Sequence, residues 1–100
     1  MKKKDKLTLL IADELKKMKE EAHLTQREIA KIMGIDRSTV GYYLSGDRKI
    51  YIDSFMDFCE ACHKNPFEEL DIVMERYRKK WVFKKLITEL IQFSILKPIC

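Results

Sequence analysis

The sequence predicts an all-α protein, and three observations carry that prediction. Apolar residues recur at steps of three and four along most of the chain, the repeat of a helix with one buried face. Only three glycines and two prolines occur in 100 residues, too few for a fold rich in tight turns. No stretch alternates apolar and polar residues as a half-buried strand does. The pattern resolves into five helices and a further C-terminal helix. It divides the chain into a domain over residues 1–75 and a basic, then apolar, helical extension over residues 76–100.

Each element has local support. Leu7, Leu10, Ile11, Leu15, Met18 and Ala22 fall on one face of a first helix of about four or five turns, and His23-Leu24 breaks the pattern. Thr25 opens the second helix with Glu28 three residues on. That is the spacing of a capping box, in which each side chain accepts from the other residue's backbone N–H. Ile29, Ala30, Ile32 and Met33 are its expected buried face. Gly34 is placed to end it, because a left-handed terminal residue costs glycine little. Asp36 is the expected N-cap of the third helix, its charge favoured by the helix dipole. Val40, Tyr43 and Leu44 are expected inward there, with Ser45-Gly46-Asp47 as the closing turn. A fourth helix is expected over roughly residues 52–63, with Ile52, Phe55, Met56, Phe58, Cys59 and Cys62 apolar and Tyr51 a poor N-cap. Asn65-Pro66-Phe67-Glu68 supplies an N-cap, an N1 proline and an N3 glutamate for the fifth, which continues through Phe67, Leu70, Val73, Met74 and Tyr77. After RYRKKWVFKK, the residues Leu86, Ile87, Leu90, Ile91 and Ile95 predict a last helix stopped by Pro98. It is either continuous with the fifth or set off by a bend.

Charge is segregated along the chain. The formal net charge is +4, but residues 51–75 carry Lys64 against seven acids, and residues 76–100 carry seven bases against Glu89. A nucleic-acid partner needs a basic surface, so the acidic block is expected to face away from it or to be neutralised by the basic tail. The basic N-terminus has no apolar run long enough for a signal peptide, being cut short by Asp13, Glu14, Lys16 and Lys17. No apolar run reaches membrane-spanning length. Three cysteines without an export signal read as reduced thiols in a cytoplasmic protein.

The window from Gln26 to Ser45 carries the function. Two short helices meet across a turn centred on Gly34, with the small Ala30 where they must approach closely. Such a pair presents its second helix outward, where it fits a DNA major groove. The segment LKKMKEEAHLTQREIAKIMGIDRSTVGYYLSGDRKI resembles the DNA-binding domain of the Xre/Cro, lambda-repressor-like family. The resemblance runs over roughly residues 7–70, with the glutamine, alanine, glycine, valine and closing glycine at the family spacing; residues after about 76 lie outside it. It implies a five-helix lambda-repressor-like domain that binds double-stranded DNA. By position it implies Gln26 on a phosphate, Arg37 and Ser38 on base edges, and Tyr42 one turn on reading a base or stacking on a thymine methyl. Thr39, Arg27, Arg48 and Lys49 are the implied phosphate contacts. Three residues depart from the family pattern: Gly41 inside the recognition helix, at a cost of about 1 kcal/mol relative to alanine, Tyr43 in place of Ile or Leu, and Tyr51 in place of a capping residue.

CEACH at Cys59–His63 matches the C-x-x-C-H sequence of c-type haem attachment, but Cys59 and Cys62 lie one turn apart on the face of Phe55 and Phe58, where cysteine serves as a small hydrophobe. Zinc on Cys59, Cys62, His63 and Cys100 lacks a second well-spaced ligand pair. No cofactor or metal is therefore expected, and no nucleophile–base pair or phosphate loop marks an enzyme. The basic stretch Arg76–Lys85 reads as a solvated face that neutralises the acidic block, with DNA-backbone contact as the alternative. Trp81 and Phe83 read as core or interface anchors. The apolar helix Leu86–Leu96 needs a partner and is expected to contribute to a homodimer. The expected function is transcriptional regulation, by default repression. The alternatives are an antitoxin whose C-terminal helix grips a toxin protein, and a protein-interaction module without DNA binding.

Overall fold

A computed structural model describes residues 5–79. The helix expected over residues 86–96, with Trp81, Phe83, Pro98 and Cys100, lies outside the described residues. Five helices follow one another: α1 Lys6–Ala22, α2 Gln26–Met33, α3 Arg37–Ser45, α4 Ile52–Ala61, and α5, helical over residues 66–79. The all-α expectation holds, with α4 ending slightly earlier than its apolar pattern suggested. Among the described residues no helix is long and apolar enough to cross a membrane.

Local chemistry sets the helix ends. The Thr8 N–H donates to Asp5 Oδ1 at 2.7 Å, so α1 has a side-chain cap one residue ahead of its apolar face. The Thr25–Glu28 capping box closes at 3.1 and 2.9 Å. Gly34 takes φ 72°, with its N–H donating to the Lys31 carbonyl and the Ile35 N–H to the Ala30 carbonyl. This paired closure is a Schellman motif, and it recurs with His23 ending α1 and His63 following α4, each at φ 57°. Asp36 stands at the N-cap of α3, but its side chain makes no capping bond. Tyr51 likewise leaves α4 without one, as its side chain predicts. Asn65 Oδ1 accepts from the Phe67 N–H at 2.9 Å and starts α5.

The core lies where α1, α2, α3 and α4 converge. Leu15, Met18, Ile29, Val40, Phe58 and Cys59 have no solvent exposure, and Ala30, Tyr43, Leu44, Phe55 and Cys62 close around them. Each large apolar side chain buried in this way contributes roughly 1.5–3 kcal/mol. The cysteines are core residues: the Cys59 thiol donates to Met18 Sδ at 3.8 Å, while His63 of the same motif is exposed. Burial pushes the Cys59 thiol up to about 12 and that of Cys62 to about 11, which leaves neither a ready thiolate. Among the described residues no cluster of His, Cys, Asp and Glu is gathered to hold a metal ion.

Several apolar residues of the helical pattern are not buried, among them Ile32, expected inward on α2. Ile32 on α2, Ile52 on α4, and Phe67, Met74 and Tyr77 on α5 are exposed, Phe67 at 71%. Of the apolar pattern of α5, Val73 turns into the domain, and Glu69 joins it. Glu69 is 7% exposed and meets Glu14 of α1, which is 2% exposed. Burial, then the hydrogen bond to the Glu14 carboxyl and its charge, push Glu69 up to about 7. Arg76 Nη1 lies 3.8 Å from Glu14 Oε1 and offsets part of this cost, whereas Glu69 Oε2 has no hydrogen-bond partner. Arg78 pairs with Glu75. Of these two bases from the basic stretch, Arg78 thus meets the acidic block and Arg76 meets α1.

Candidate nucleic-acid interface

The N-terminal ends of α2 and α3 open side by side into a groove of about 960 Å³, lined by Lys19, Thr25, Gln26, Arg27, Asp36, Arg37 and Ser38. Their juxtaposition follows from the Gly34 turn, which redirects the chain within three residues, and from the small, buried Ala30 of α2. Val40, Tyr43 and Leu44 bed α3 on the core, so Arg37, Ser38 and Tyr42 face solvent. The groove is electropositive. Lys19, Arg27 and Arg37 stand against Asp36 alone, and two helix N-termini add their partial positive charge. Glu28 does not line the groove: its carboxylate is turned back onto the backbone of Thr25, whose hydrogen bonds lower its pKa and keep it an anion at the start of α2.

The remaining implied contacts are arranged less uniformly. Thr39 is half-buried in the first turn of α3, its N–H donating to the Asp36 carbonyl at 3.0 Å. The Arg48 guanidinium lies over the Tyr42 ring, 4.8 Å from its centroid, and the Arg48 N–H donates to the Tyr42 carbonyl at 3.3 Å. These two side chains therefore form one stacked unit. Lys49 turns toward α1 and pairs with Asp5 at 3.2 Å, beside a cleft of about 180 Å³ that is separate from the groove. Hydrogen bonds from the hydroxyl and N–H of Thr8, with the Lys49 ammonium, hold Asp5 down at about 2.

The structure thus brings four of the implied residues, Gln26, Arg27, Arg37 and Ser38, into one groove. It pairs two others and turns Lys49 aside. Sequence reasoning missed Lys19. Its signal was present, since it is the base in the last turn of α1, and the His23 turn folds that end against α2.

Two short helices across a glycine turn, the second bedded by its apolar face and offering a basic N-terminal end, define a helix-turn-helix DNA-binding protein. Residues 15–68 match the Helix-turn-helix family HTH_3, and the chain belongs to that family, of the Xre and lambda-repressor type. No curated protein matches the sequence. Among solved structures, a point mutant of the restriction-modification controller protein C.Esp1396I is similar with a TM-score of 0.68 at 17% identity, over 77% of this chain and 98% of that one. The clp gene regulator ClgR from Corynebacterium glutamicum is similar with a TM-score of 0.67 at 13% identity, over 92% of this chain and 97% of that one. At these identities the likeness is one of fold.

Proposed function

We propose that the chain is a sequence-specific reader of duplex DNA that regulates transcription in the cytoplasm, by default as a repressor that occupies a promoter. Helix α3 enters the major groove, where Arg37, Ser38 and Tyr42 meet base edges. Arg27, Arg48 and Lys49, with Lys19, neutralise phosphates, and Gln26 and Thr39 hydrogen-bond to them. For Lys49 this requires exchanging its exposed ion pair with Asp5, a small cost. The observation that carries the proposal is the groove in which two helix N-termini gather Lys19, Gln26, Arg27 and Arg37. Two solved proteins of similar fold are a restriction-modification controller protein and a clp gene regulator, which agrees with it. Residues 1–75 form the DNA-binding part and residues 76–100 the extension. A homodimer is part of the proposal: α5 leaves Phe67, Met74 and Tyr77 exposed, a surface suited to a second copy.

In-vitro selection from random duplex DNA tests this. The expected result is an enriched palindrome with half-sites about 10 base pairs apart, whose consensus relaxes in Arg37→Ala. Salt-sensitive binding with no enriched sequence would leave only electrostatic attraction and overturn the proposal.

A further inference from the structure

Gly41 lies in the middle of α3, and unlike Gly34 and Gly46 it has no positive φ. Its backbone gives no reason for glycine, and a glycine inside a helix forfeits stability relative to alanine. The reason lies across the groove. A Cβ at position 41 would come within 2.9 Å of Gln26 Nε2, closer than such atoms approach without a bond between them. The end of the Gln26 side chain therefore occupies space that any other residue at 41 would claim. Arg37 and Ser38, four and three residues earlier on the same helix, share that side of α3.

We propose that Gly41 is a positioning residue: its missing side chain is the seat that holds the Gln26 amide against α3, beside the face carrying Arg37 and Ser38. An amide seated in this way has lost rotamer freedom before DNA arrives, so its phosphate contact carries a smaller ordering cost. A methyl group at 41 displaces only the far end of a flexible side chain. The fold survives and Gln26 moves. The functional consequence rests on the duplex-DNA reading of the groove; the seat itself does not.

The test separates the two. Gly41→Ala is expected to raise the melting temperature by about 4 °C, since alanine is the better helix former. In the same protein, affinity for the duplex recovered by selection is expected to fall about three- to tenfold. In a Gln26→Ala background, adding Gly41→Ala is expected to change affinity by less than about twofold. The Gln26 side-chain amide signal in NMR is expected to shift in Gly41→Ala with no DNA present. A signal that stays in place overturns the proposal, as does an equal loss of affinity from Gly41→Ala in both backgrounds. A wild-type protein that binds no duplex would overturn the DNA reading, and the amide signal would still decide the seat.

Discussion

Where α2 meets α3, charged side chains stay in water: Lys19, Arg27 and Arg37 line an open groove. Where α1 meets α5, charge is withdrawn from water: Glu14 and Glu69 are buried against each other with Arg76 at one end. The first region keeps its cations solvated and available to a ligand. The second spends binding energy internally and ties the last described helix to the domain through a carboxyl pair that cannot comfortably ionise twice. The difference separates a surface arranged to meet a partner from a seam arranged to hold a helix.

The largest test breaks the support on which both regions stand. Phe58→Ala removes a fully buried ring from the core and is expected to cost about 3–5 kcal/mol in a denaturant titration, lowering the stability of both regions together. Arg37→Ala is expected to act on the first region alone. Affinity for the selected duplex should fall by about 1–3 kcal/mol, while stability changes by less than about 0.5 kcal/mol.

The seam has its own signature in pH. The Glu69 pKa is raised on folding from 4.5 to about 7. Its stabilisation is therefore complete below the unfolded value and is lost as pH rises through the folded one. Burial drives the rise first and Glu14 adds to it, while Lys64 and Lys17 act against it. Stability is expected to fall by at least about 1 kcal/mol as pH rises from 4.5 to about 7, and to level off above that. Glu69→Gln, which keeps the shape of the protonated form, should flatten that slope. A slope unchanged in Glu69→Gln would assign the effect to another group.

The smallest expected effect is a gain. Tyr51 is an exposed N-cap without a capping bond. Tyr51→Asp is expected to add about 0.5–1 kcal/mol, read as a higher melting temperature with DNA affinity unchanged.

The same two regions differ in how far the sequence revealed them. Around α2 and α3, the Thr25–Glu28 box, the Gly34 turn and the inward set of Val40, Tyr43 and Leu44 were legible, because each depends on residues a few positions apart. The core role of Cys59 and Cys62 was legible for a similar reason, their spacing on the face of Phe55 and Phe58. Around α5 the apolar pattern was only partly informative: of Phe67, Leu70, Val73, Met74 and Tyr77, Val73 is buried and Leu70 packs on the core while the other three are exposed, and Glu69 is buried beside them. Ile32, expected on the buried face of α2, is exposed as well. In the sequence Glu14 stands out only as a charge that interrupts an apolar run, yet it is among the least exposed side chains of α1.

By itself, the sequence determined the helices, most of their caps, the glycine turn and the basic end of α3, since hydrogen bonds and dihedral preferences act over one turn of chain. Tertiary structure decided which face of α5 is buried, where Lys19 and Lys49 point, that Glu14 and Glu69 meet, and that Gln26 lies over Gly41. Each of those outcomes joins residues far apart in sequence, and the energy of a buried charge or a close contact is set by the partner that folding brings to it.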